Sequence, residues 1–295
     1  MLELRDLQFL TALARHRHFA KAAAECGVSQ PAFSMRIRAL EERLATTIVI
    51  RGNRYKGLTA EGEAIMRHAR RILDDVRFLE QEVLAAKGDI SGTLTLGVVP
   101  TAAAYAAKLA IHLYGLYPGI VARIETASSL EIQQWIEDGK IDAGVTYSDN
   151  VSSDMLTVEP LYEEHYVLLI PTALVEGNPA MISWKEAAEL PLSLLEPRMQ
   201  NRRILDRMFK EVGAAPRIVS ETNALTICVG IACQGLAATV VPNVLLETLG
   251  VFEGTVAVPL VEPELRKSIS LVTASRMLGL PKVEALRRSL IGFAR

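Results

Sequence analysis

Apolar and polar positions near the start of the chain alternate with helical spacing. The run FAKAAAECGVSQPAFSMRIRALEERL, residues 19–44, predicts two short helices joined by a turn. Phe19, Ala23 and Ala24 make a compact apolar face on the first helix, and Gly27 follows it, where a residue tolerating left-handed backbone can end a helix. Ser29 is placed to cap the second helix, with Pro31 in the first turn, where a missing N–H costs nothing. Phe33, Ile37, Leu40 and Leu44 then recur at i, i+4, i+7 and i+11 as one apolar stripe. On that period Pro31, Met35 and Arg38 point away from the stripe, with Gln30 and Ser34 on one flank and Arg36 on the other.

The pattern then changes. Ile48, Val49 and Ile50 form a β-prone run, and Gly52-Asn53 before Tyr55 predicts a hairpin with Arg51, Arg54 and Lys56 around its tip. Thr59 caps a long helix expected to reach about Lys87. Its Ile65, Ala69, Ile72, Val76, Leu79 and Val83 alternate steps of four and three, a heptad seam. So narrow a seam predicts a partner helix and hence a dimer; the competing expectation is a helix packed on its own domain.

Beyond Gly88-Asp89 and Ser91-Gly92, strand-like runs at 93–100, 121–128 and 141–148 alternate with helical ones. A second set runs from 165–171 through 235–242, and the chain returns by the strand SISLVTA and a last helix. This βαβ rhythm predicts an α/β body of largely parallel sheet in two subdomains. The first spans about 91–162 and 268–295 and the second about 163–267, with crossings near 162–165 and 264–268. A cleft between them, at the carboxyl ends of strands, is where a small ligand is expected. The domains expected are therefore 1–58, a linker helix 59–88, and a body 89–295.

Charge sharpens this division. The 295 residues carry a formal net charge of −2, yet residues 1–58 hold 10 Lys+Arg against 5 Asp+Glu. The remainder holds 22 basic and 29 acidic residues. A basic head on an acidic body can bind phosphate while the body stays off it. Gln, Ser and Arg on the exposed side of a second helix are the side chains that read base edges in a major groove. The hairpin cations suit a minor groove or phosphate. The N-terminus MLELRDL lacks a signal-peptide pattern and no apolar run approaches a membrane span, so a cytoplasmic protein is expected, with no membrane partner. Three cysteines are too few for a disulfide framework.

These residues resemble the LysR-type transcriptional regulators over essentially the full chain. The resemblance rests on LRDLQFLTALARHRHFAKAAAECGVSQPAFSMRIRALEERL, IRGNRYKGLTAEGEAI, GTLTLGVVP, LYPGIVARIETASSLEIQQWIEDGKIDAGV and GLAATVVP. It implies a winged helix-turn-helix, a long linker helix, and a two-subdomain α/β effector domain similar to periplasmic binding proteins. It also implies homodimers that commonly associate as homotetramers on promoter DNA, with RNA polymerase a further candidate partner. The chain departs from the family pattern at His18, at Met35-Arg36, where Arg-Gln is frequent, and at Leu44-Ala45 with Ile48-Val49-Ile50 before the wing.

Carried onto these positions, DNA contact falls to Gln30, Pro31, Ser34, Met35, Arg36, Arg38, Arg51, Arg54 and Lys56. Effector contact falls to Thr101, Ser128, Ser129, Gln200, Asn201, Arg202 and Thr222, with Arg203 the alternative counter-charge to Arg202. Hydroxyls and free N–H groups at helix starts suit a small anionic metabolite. Some members of the family sense peroxide through a disulfide, but the corresponding loop here, around Met199-Gln200, has no cysteine, and Cys228 and Cys233 fall on different helix faces. No GxSxG, HExxH, P-loop or GxGxxG occurs, and the five histidines show no metal-ligand spacing. Neither an enzyme nor a resident metal or cofactor is expected. The competing expectation is a cytoplasmic solute-binding protein without specific DNA affinity.

Overall fold

The computed structural model describes residues 2–51, 55–86, 90–151, 155–177, 179–250, 252–291 and 293. The chain divides into two units, residues 1–89 and 90–295.

In the first unit α1 (Leu4–His16), α2 (Phe19–Glu25) and α3 (Gln30–Arg43) are followed by a hairpin, β1 (Val49–Arg51) and β2 (Tyr55–Leu58), and by α4 (Ala60–Ala86). The apolar stripe of α3 forms the core: Phe33, Ile37 and Leu40 are fully buried. Phe9 of α1 stacks on Phe33 at 4.9 Å, and Phe19 meets the same ring edge-on. Leu44, the fourth stripe position, is exposed because the helix stops at Arg43. Gly27 adopts φ +66° after α2, and the Ser29 hydroxyl accepts from the Ala32 N–H. His18 takes the cap position of α2, its Nδ1 accepting from Lys21 N–H at 3.5 Å. Thr59 Oγ1 accepts from Gly62 N–H at 2.9 Å at the start of α4. Gly62 is required there, since a Cβ would lie 2.2 Å from the Ile48 carbonyl oxygen. Glu41 of α3 fastens the hairpin by accepting from the Ile48 and Val49 N–H groups, both at 3.0 Å.

The helical seam divides between two surroundings. Ala69, with the off-seam Leu73, packs on Leu7 of α1. Ile72, Leu79 and Val83 are 39%, 61% and 50% exposed.

The second unit runs β3 (Gly92–Val98), α5 (Ala103–Leu116), β4 (Ile120–Thr126), α6 (Ser129–Glu137), β5 (Ala143–Tyr147) and β6 (Leu156–Pro171). Next come β7 (Ile182–Ser183), α7 (Trp184–Glu189), β8 (Pro191–Leu195), α8 (Gln200–Glu211), β9 (Arg217–Thr222) and α9 (Leu225–Cys233). The chain ends with β10 (Thr239–Pro242), α10 (Asn243–Leu249), β11 (Thr255–Val261), β12 (Arg266–Ala274) and α11 (Pro281–Leu290). Strand order in the main sheet is β4-β3-β5-β12-β6-β11-β7, with β10 also on β6 and with β8-β9 a separate pair.

The sheet is mixed rather than largely parallel. β3, β4 and β5 are parallel, but β12 returns antiparallel between β5 and β6, and β6 pairs antiparallel with β10 and β11. The expected crossing near 162–165 lies inside one continuous 16-residue strand, β6, that serves both subdomains. Its first half pairs with β12 up to His165, and its second half, from Tyr166, pairs with β10. Polar residues at 157–165 disguised this strand: PLYEEHY reads as a link when its neighbours are unknown.

Candidate functional site

On α3 the outward positions are those that the helical period placed there. Gln30, Pro31, Met35 and Arg38 are exposed, and Gln30 Nε2 donates to Ser34 Oγ at 3.1 Å. Lys56 is exposed on β2. Arg51 lies at the end of β1, and Arg54 falls outside the described residues. Arg36 differs from the rest. Its Nε donates to Asp6 Oδ1 at 2.8 Å and a second nitrogen pairs with Glu3, so its charge is turned toward α1. Arg43 joins the same acid at 2.8 Å. Asp6 itself is fully buried. The two cations on one flank of α3 thus fix the helix, while the opposite flank and the outward centre stay open.

In the second unit a cavity of about 220 Å³ opens between the subdomains. Its walls are Ser129, Leu130 and Gln133 of α6, Thr146 and Tyr147 of β5, Val151, and Gln200 and Arg203 of α8. The Ser129 and Thr146 hydroxyls are buried without a hydrogen-bond partner among the described residues. Arg203 donates to the carbonyls of Pro197 and Arg198 at 3.3 and 2.7 Å. The first turn of α8 has no side-chain cap, leaving its N–H groups available. A second cavity of about 460 Å³ is lined among others by Thr126, Trp135, Met199, Asn223 and Thr226. At its rim Arg198 pairs with Glu131 across the cleft at 3.1 Å. The Ser128 hydrogen bonds and that arginine hold the Glu131 carboxyl below its ordinary range.

Several expected effector residues do other work. Arg202 is a correction: it is buried, its guanidinium bonded to Asp206, Glu221 and the Leu195 carbonyl, and it lines neither cavity. The period of α8 carries the signal, since 202 lies seven residues before the buried Phe209. Ser128 caps α6 in a capping box with Glu131. Thr222 accepts from the Ala224 N–H within its own turn. Asn201 is buried with its amide nitrogen unpartnered, and Gln200 lines the cavity. Thr101 is buried and bonded to the Tyr147 hydroxyl at 2.9 Å.

That hydroxyl leads to a group the sequence reading missed. Glu164 of β6 is fully buried and accepts from Tyr147 at 2.9 Å, Tyr166 at 3.1 Å and Tyr162 at 3.5 Å. No lysine, arginine or histidine stands among its partners in the described residues. Burial pushes its carboxyl up to about 7, against the pull of the phenol donors. Burial likewise raises Tyr147 and Tyr166 well above the ordinary phenol value. The signal was available: counting back by twos from Leu168 and Tyr166 puts residue 164 on the inner face.

Among the described residues no cluster of His, Cys, Asp and Glu could hold a metal ion. No helix is long and apolar enough to cross a membrane.

Known proteins resemble both units. The family model described as "Bacterial regulatory helix-turn-helix protein, lysR family" matches residues 4–63, and that of the "LysR substrate binding domain" matches 87–294. The DNA-binding transcriptional dual regulator OxyR of Escherichia coli is 28% identical over 272 residues, 92% of this chain and 89% of its own. A probable hydrogen peroxide-inducible genes activator of Streptomyces viridosporus is 31% identical over 243 residues, 81% of this chain and 77% of its own. Of solved structures, full-length OxyR from Pseudomonas aeruginosa superposes with a TM-score of 0.75 at 22% identity, covering 98% of this chain and 95% of that one. Full-length CbnR in complex with its target DNA gives 0.61 at 22% identity, covering 98% and 100%. At such identities the two structures speak for the fold.

Proposed function

Because the chain belongs to the LysR family of DNA-binding transcriptional regulators, we propose that its promoter contacts answer to a small anionic metabolite held in the 220 Å³ cavity. One observation carries this reading. Among the described residues the buried hydroxyls of Ser129 and Thr146 have no partner, beside a guanidinium that bonds only carbonyls. A buried donor left unpaired costs free energy until something accepts from it. A carboxylate or comparable anion accepts from both hydroxyls, from Arg203 and from the first turn of α8. Gln133 and Gln200 then choose among anions by their amides. The ligand is bound rather than transformed.

Two of the three cysteines, Cys26 and Cys228, do not suit an oxidant as the signal. Cys228 is fully buried and its thiol is pushed up by that burial, as Cys26 is by burial and the charge of Glu25. Reactive cysteines need accessible thiolate, and residues 196–203 contain no cysteine at all.

On the DNA side Gln30, Pro31, Ser34, Met35 and Arg38 meet the major groove, and Lys56 with its hairpin neighbours grips the backbone. Ile72, Leu79 and Val83 continue the seam in the open, so two such helices pair and carry two heads to two half-sites. Pairing of these dimers into tetramers and contact with RNA polymerase, in the cytoplasm, complete the reading.

The test is a footprint on the DNA upstream of the gene and its divergent neighbour. The expected result is a roughly two-fold-symmetric protected site whose pattern changes with a metabolite carboxylate. Arg203→Ala should keep the protection and lose the change. A full response in that variant places the ligand elsewhere, and absence of any specific site, across a ligand panel, overturns the reading.

A further inference from the structure

The outward centre of α3 carries no base-reading arginine in its first two turns. Pro31 and Met35, at i and i+4, are exposed and make a narrow apolar strip through those two turns, with half-buried Ala39 continuing it and the exposed Arg38 beside it in the next turn. Met35 is 64% exposed, more than any other large apolar residue described in this unit. Of the guanidiniums nearby, Arg36 and Arg43 are both turned to Asp6 on the flank facing α1, and the exposed Arg38 lies one turn beyond Met35. Gln30, by contrast, presents an amide steadied by its bond to Ser34.

A strip with no donor, and with only a weakly accepting thioether sulfur, gains little from guanine or cytosine edges in the major groove. The C5 methyl of thymine is the one apolar group displayed there, and adenine N6 and N7 suit a glutamine amide. We infer that Met35 is a specificity-determining residue that reads a thymine methyl, so that each half-site requires an A·T pair beneath the middle of α3. A flexible thioether side chain adapts to the methyl without a fixed rotamer, and covering both removes apolar surface from water. The inference rests on α3 being the element that enters the major groove.

Replacing thymine by deoxyuridine removes only that methyl. In the footprinted operator, bound by the full-length protein, each thymine of the half-site is replaced in turn. One symmetry-related pair of positions should weaken wild-type binding, by about fourfold for one half-site and about sixteenfold for both. Met35→Ala, at an exposed position that leaves the core alone, should bind the thymine operator more weakly and be indifferent to deoxyuridine at that position. If no thymine shows the effect, or if Met35→Ala suffers the same loss as wild type, the assignment falls while the placement of α3 survives. That placement is judged separately: if Gln30→Ala and Arg38→Ala also bind like wild type, α3 does not enter the groove and the assignment falls with it.

Discussion

Among the described residues each unit buries one carboxyl completely, and the two are compensated in opposite ways. Asp6 in the first unit meets two guanidiniums, Arg36 and Arg43, and accepts from the Glu3 N–H at 3.1 Å. Glu164 in the second meets three phenols and no cation among the described residues. A charge balanced by charge is a fixed strut, and here it ties the recognition helix to α1. A carboxyl balanced only by neutral donors keeps a proton at a pH where its surface counterparts have lost theirs. The first arrangement suits a head that must present one rigid face. The second stands on the strand shared by both subdomains, one hydroxyl away from the 220 Å³ cavity.

The largest test of this contrast is Asp6→Ala. Removing it strips two ion pairs and the capping partner of α1, and should destabilise the first unit by about 4 kcal/mol. Both tryptophans, Trp135 and Trp184, lie in the second unit, so their fluorescence should not register the loss. Pulse proteolysis in urea, with cleavage mapped to residues 1–89, reads it. A loss below about 1 kcal/mol would mean that solvent serves the two arginines as well as Asp6 does.

Glu164 comes next, and its effect depends on pH. Its carboxyl titrates at about 7 in the folded chain against an ordinary 4.5. Below 4.5 both states hold the proton and the second unit has its full stability. Between the two values the unfolded chain ionises and the folded one does not, so stability falls as pH rises, by roughly 3 kcal/mol in all. Glu164→Gln should abolish that fall, gaining on wild type steadily from pH 4.5 to 7 in denaturation followed by Trp184. Parallel pH profiles would show that a cation reaches the carboxylate.

The two acids also mark what could be read from the chain. The three α3 positions Phe33, Ile37 and Leu40 were legible because a helical period needs no knowledge of partners, and all three are fully buried. The caps at Ser29 and Thr59 were legible for the same local reason. Arg36 was misjudged because its partner Asp6 lies thirty residues away, and no local pattern says whether a half-exposed guanidinium turns outward or inward. β6 was seen only from residue 165 because its first half is interrupted by Pro160 and carries Glu159, Glu163 and Glu164, a pattern that a strand in mid-sheet tolerates only when specific partners receive it. The cavity was located by its helix starts, but Thr146, Gln133 and Val151 come from three separate segments. Their convergence is a property of the sheet, whose order is not written in any one run of residues.

Thr146 supplies the smallest and most discriminating effect. An unpartnered buried hydroxyl contributes nothing to the ligand-free fold, so Thr146→Val, which keeps the volume, should change stability by no more than about 1 kcal/mol and in the stabilising direction. Effector response in the footprint should nonetheless weaken. Ser270 provides the control, since its hydroxyl is also buried and unpartnered but lines neither cleft cavity. Ser270→Ala should match Thr146→Val in being nearly neutral to denaturant, and differ from it in leaving the response intact. If Thr146→Val costs more than about 1.5 kcal/mol, the hydroxyl is already satisfied in the empty protein. The cavity would then hold no donor waiting for an acceptor at Thr146, whatever Asp6 and Glu164 turn out to do.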